Sequence, residues 1–164
     1  MNERRAGPEV IASMVGFLAA IALGLSAGAL LAEAGVLVPW WRSLPPQSFL
    51  SWYAANASLL FDFYSRVEIA STVLALVAAA LYRYHRGGAG GFFIASAALT
   101  LTILACFPVY FQPVNASFAA ATIEVDQVAT ELGRWATWHW VRTAIGVGAF
   151  ALAVLGVRAG AKGG

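Results

Sequence analysis

The stretch WATWHWVRTAIGVGAFALAVLGV, Trp135 to Val157, carries a single full charge, Arg142, in 23 residues. At 1.5 Å per residue, a helix of that length spans about 35 Å, enough for a hydrocarbon core about 30 Å thick. Three further apolar runs precede it, Val10 to Ala32, Val67 to Tyr82 and Phe92 to Phe111. The second is the shortest and carries Glu68 near its start. With 60% hydrophobic and 11% charged residues in a chain of 164, too few polar side chains remain to cover a soluble domain. The expected fold class is therefore all-α: a single membrane domain, residues 1–164, built as a bundle of four transmembrane helices. The first run is longer than the roughly 7 to 15 residues of a signal-peptide core, so it reads as a retained span.

Basic residues set the expected orientation. Arg4 and Arg5 precede the first run, Arg83, His85 and Arg86 lie between the second and third, and Arg158 and Lys162 follow the fourth. All fall on one side. The other side mixes Arg42 and Arg134 with Glu33, Asp62, Glu124, Asp126 and Glu131. The positive-inside rule then places both termini in the cytoplasm, for a multi-pass protein of a bacterial inner membrane. A net charge of +2 spread over three flanks forms no stripe for nucleic acid. The lone Cys106 cannot form an intramolecular disulfide, and no Cys/His cluster has metal-ligand spacing, so no metal is expected.

The two outer connections are patterned. Residues 45–64 open with Pro45 and Pro46 and then place Phe49, Trp52, Tyr53, Leu59, Leu60 and Phe63 at helical spacing. Residues 113–133 read as one or two further short helices. Both segments are expected to cap the outer mouth of the bundle. Each contains Asn-Ala-Ser, at Asn56 and at Asn115, which suggests a duplicated hairpin. In the first span, Gly24-x-x-x-Gly28 favours close helix packing, within the bundle or against a partner in a homo- or hetero-oligomer.

The start of the fourth span holds the chemistry. On a helix, Trp135, Trp138, His139 and Arg142 share an arc of about 100°, whereas Trp140 points away. Arg142 lies about 10 Å deeper than Trp135, close to the limit of snorkelling, so it is expected to face the bundle and pair with Glu68, or failing that with Glu33. The tryptophans taken singly read as an interfacial belt, and the two asparagines as caps. A bis-histidine haem is excluded, because His85 is on the opposite side from His139.

The spacing Trp135-x-x-x-His139-x-x-Arg142, the PVNASF around Asn115 and the LPPQSFLSWYAAN that ends at Asn56 resemble the anthrone oxygenase-like membrane proteins, over about Met14 to Val157. The resemblance implies insertion of oxygen into a lipophilic hydroxyaromatic without metal, flavin or other cofactor. It carries over Asn115, Trp135, His139 and Arg142, with Asn56 a weaker match. Such a reaction needs a base and a holder for an oxyanion. His139 has the intrinsic acidity of a base near neutrality; Arg142 and Asn115 can stabilise the anion; Trp135 and Trp138 can stack a planar ring system, with Glu68 and Asn56 at the same mouth. Besides membrane lipids, the expected ligand is a lipophilic small molecule. The alternative is a non-catalytic subunit of a larger membrane complex that binds lipid or quinone.

Overall fold

The computed structural model describes residues 3–83 and 88–163, with side chains over 7–83 and 88–162. Of the expected basic flanks, His85 and Arg86 lie outside the described residues, as do the side chains of Arg4 and Arg5. Helices α1 (Glu3–Ala32), α2 (Val38–Ser43), α3 (Pro46–Tyr82), α4 (Ala89–Cys106), α5 (Gln112–Ala119) and α6 (Val128–Gly163) follow in order, and no strand occurs among the described residues. Four helical stretches are long and apolar enough to cross a membrane, which makes this a multi-pass membrane protein. They close a ring in which α1 packs on α3 and α6, and α4 packs on the same two.

The segment expected as a separate cap over 45–64 is the first half of α3. Between Pro46 and Tyr82 the sequence holds no glycine and no further proline, so nothing stops the helix once Pro46 has started it. At about 55 Å it overshoots a bilayer core and projects beyond it at one end. Similarly α6 begins at Val128, seven residues before Trp135, and α5 takes only the first part of the second expected cap. A turn at Ala121, whose φ is +50°, separates the two helices.

Prolines act elsewhere by widening turns. A π-type turn over Glu33–Leu37 joins α1 to α2, and another over Phe107–Phe111 joins α4 to α5. Each ends two residues before a proline, Pro39 and Pro113. A proline offers no N–H to the carbonyl four residues back, and its ring collides with that carbonyl. Widening the turn relieves both problems, with Val38 N–H bonding to Glu33 O and Gln112 N–H to Phe107 O. Both wide turns interrupt the first long helix of a hairpin. The internal echo therefore resides in them and not in the Asn-Ala-Ser triplets, of which one lies within α3 and the other in α5.

The bundle is filled in three levels. At the end away from α2 and α5, an alanine-rich core includes Ala19, Ala75, Ala78, Ala149 and Ala153, with Tyr82 and Phe93 in ring contact at 4.7 Å. A middle level holds buried hydroxyls that find carbonyls, among them Ser96 to Ala149 across helices at 2.8 Å and Thr100 to Ala97 at 2.9 Å. The third level is the aromatic end, described below. Of the expected Gly24–Gly28 pair, Gly24 meets the Phe150 ring within the chain, whereas Gly28 faces open space.

The return from α3 to α4 depends on two glycines. Gly88 has φ +80°, and a Cβ on Gly90 would stand 2.5 Å from the Tyr82 carbonyl oxygen. Gly90→Ala should therefore destabilise the bundle by about 1–3 kcal/mol, the usual cost of overpacking, read as a lowered thermal midpoint in detergent; an unchanged midpoint would show that the α3–α4 approach is looser than described.

Candidate functional site

The aromatic end begins as a roof. Trp41, Phe49, Tyr53, Phe118 and Trp135 are all buried there and meet largely edge to face, with Trp41 at 5.6 Å from Trp135 and Phe49 at 5.1 Å from Phe118. α5 contributes Asn115, whose Oδ1 accepts the Trp135 indole N–H at 2.8 Å. The six tryptophans thus divide by helix face. Trp40, Trp138 and Trp140 are exposed and suit an interfacial belt, Trp41 and Trp135 belong to the core, and the half-buried Trp52 touches both Trp40 and Trp41.

Under the roof lies a layer of charge. The Arg142 guanidinium pairs with the Glu68 carboxylate, and both are buried, as the depth of Arg142 on its helix requires. The same guanidinium stands over the Phe111 ring at 4.6 Å, a cation–π contact delivered by the second wide turn. One turn above, His139 is fully buried and stacked on Trp135 at 4.9 Å. Its Nε2 is 3.0 Å from the Leu30 carbonyl and 3.5 Å from Glu33 Oε2. Glu33 is the first residue of the first wide turn and is buried, with the Tyr64 side chain beside it on the same cavity wall. Among the described residues, the buried ion-pair contacts are these two, Arg142 with Glu68 and His139 with Glu33.

A cavity of about 530 Å³ opens beside this layer. Glu33, Glu68, Arg142, Asn115, Trp135, Tyr53 and Tyr64 form its polar and aromatic wall. Between α3 and α4–α5 its lining includes the exposed Phe61 and Ile69, with Phe61 in ring contact with Phe107 at 5.7 Å, and Ser58, Leu104 and Gln112. The volume falls in the range of about 300–1,000 Å³ usual for small-molecule pockets.

Four of the expected site residues thus meet on one wall, Glu68, Asn115, Trp135 and Arg142. Three do not. Trp138 lies at the edge of the inward arc of α6, 44% exposed, and packs against the Tyr110 ring at 5.7 Å. Asn56 donates to Trp52 O at 2.8 Å within its own helix and does not line the cavity. His139 sits behind the wall, because Trp135 stacks over it and Glu33 stands in front. Glu33, expected only as a second-choice partner of Arg142, and Tyr53 and Tyr64 join the cavity wall without having been expected as site residues; the available sign was Pro39, six residues after Glu33, since π-type turns recur at functional sites.

A family model described as anthrone oxygenase matches residues 61–152, more than half of the chain. The chain belongs to the anthrone oxygenase family. The matched part contains Glu68, Asn115, Trp135, His139 and Arg142 and stops short of Glu33. Comparison with curated proteins and with solved structures finds no match. For this member of the anthrone oxygenase family, the ion pair in the cavity wall is also a strong structural constraint. Glu68→Leu or Arg142→Met alone should cost about 3–5 kcal/mol, because each leaves a buried charge uncompensated, whereas the two together should cost far less than the sum. Additive losses in detergent unfolding would show that the two side chains are not coupled.

Proposed function

We propose that this chain is a cofactor-independent oxygenase that converts a lipophilic hydroxyaromatic, of the anthrone type, within the cavity at its aromatic end. The observation that supports this best is the cavity itself: an aromatic-walled space with a buried guanidinium and carboxylates at one side. An anthrone carries an acidic benzylic CH2. Once deprotonated, its electron-rich carbanion reduces dioxygen without help, so the protein has to supply a base, a holder for the oxyanion and a dry site. Arg142 and the Asn115 amide are the oxyanion holders in this reading, and Trp135 supplies a flat face for the rings. The overall balance is CH2 plus O2 giving C=O plus H2O.

The aromatic end is taken to face away from the cytoplasm of a bacterial inner membrane, since Arg83, Arg158 and Lys162 lie towards the opposite end. Gly28, open on the bundle surface, supports a second reading in which the chain packs against a partner and the cavity holds a quinone or lipid without turnover.

Oxygen consumption by the purified protein in lipid nanodiscs, with an anthrone supplied, separates the two. The oxygenase reading expects one O2 per anthrone, no accumulated peroxide, and a loss of about 10²-fold in kcat in Asn115→Ala, the scale of one missing oxyanion donor. Uptake no faster than the spontaneous oxidation in empty nanodiscs would end that reading.

A further inference from the structure

We propose that Glu33 is the catalytic base of this reaction and that His139 is a positioning residue which holds the Glu33 carboxylate from behind. The inference rests on the oxygenase reading above and goes beyond it, since Glu33 lies outside the matched residues 61–152.

Geometry singles out Glu33. It lines the cavity, as His139 does not. Glu68 also lines it but is committed to the Arg142 guanidinium. Glu33 has no Arg or Lys within ion-pair distance among the described residues; its neighbours are the Tyr64 hydroxyl and the His139 ring. The ring's own arrangement argues against it as base. Both atoms close to Nε2, the Leu30 carbonyl oxygen at 3.0 Å and Glu33 Oε2 at 3.5 Å, are acceptors, so Nε2 carries the hydrogen. The lone pair is then on Nδ1, which is buried without a partner and away from the cavity wall. The Nε2 hydrogen goes to Leu30 O, which fixes the ring 3.5 Å from Glu33 Oε2, where it limits the carboxylate's freedom to swing.

The steps balance. The Glu33 carboxylate takes one benzylic proton, and the C–H electron pair spreads onto the ring oxygen held by Arg142. The carbanion passes electrons to dioxygen, forming a C–O bond and a peroxide anion, which takes the proton back from Glu33. Glu33 then removes the second proton from the same carbon as the O–O bond breaks. The departing hydroxide collects that proton as water, the carbonyl remains, and the carboxylate is restored.

Proton abstraction can be read without oxygen. The full-length protein in nanodiscs is held anaerobically in D2O with anthrone, and deuterium gain at the benzylic carbon is followed by mass spectrometry, with ligand binding read from Trp135 fluorescence. Glu33→Gln should still bind and should lower protein-dependent exchange by about 10²- to 10⁴-fold, the usual share of a general base. Glu33→Asp, which keeps a carboxylate, should recover part of it. His139→Ala should slow exchange by about 10-fold, and His139→Gln should restore most of the rate, because a glutamine amide offers an N–H in place of Nε2 but accepts no proton near neutrality. Wild-type exchange retained in Glu33→Gln, or His139→Gln as inactive as Glu33→Gln, would overturn the assignment while leaving the oxygenase reading intact. If the wild type itself binds anthrone but shows neither exchange nor oxygen uptake, the oxygenase reading fails and takes this assignment with it.

Discussion

A guanidinium two turns inside a membrane helix has to be met by a carboxylate, and the aromatic half of this bundle is arranged around that requirement. Arg142 on α6 meets Glu68 on α3, two helices that otherwise touch little. The pair therefore ties across the ring of helices and sets the depth at which α3 and α6 align. Phe111 closes over the same guanidinium, so the wide turn between α4 and α5 is fixed by the charge as well as by Pro113. Removing the charge from water on three sides leaves the fourth side, the cavity, as the place where a ligand can reach it.

The two wide turns convert a packing problem into a site. Without Pro39 and Pro113, α1 and α4 would continue as plain α-helices, and their carbonyls would be satisfied four residues on. With them, one extra residue enters a turn on each helix, and the side chains there are rotated relative to the α-helical register. On α1 this brings Glu33 against His139; on α4–α5 it brings Phe111 against Arg142 and Asn115 against Trp135. The opposite half has no such interruption. Its core is alanine-rich, with Tyr82 and Phe93 packed close to Gly16, Gly156 and Gly160.

Much was legible before any coordinates. Four apolar runs, a polar face at Trp135, His139 and Arg142, and the depth argument for Glu68 follow from composition, from helical spacing and from the cost of a lone cation in lipid. Local rules misjudged the connections. Residues 45–64 looked like a separate cap because Pro45 and Pro46 and a run of aromatics resemble a surface helix, yet no breaker divides them from the span that follows. Trp138 looked like a site residue because a 100° arc is a broad target, and Asn56 because its outer segment resembles the family's; neither says where neighbouring helices stand.

By itself, the sequence determined what lies in the membrane and which side chains cannot be left alone there, because transfer of apolar surface and of charge depends on local composition and depth. Only the tertiary structure decided that Glu33, left out of the ion pair, joins Glu68 on the cavity wall. Glu33 and Glu68 look alike as letters in a chain; what separates them is the wide turn before Pro39, the pairing of Glu68 with Arg142, and the stacking of Trp135 over the His139 that stands by Glu33, and the last two arise only when α1, α3 and α6 are packed together.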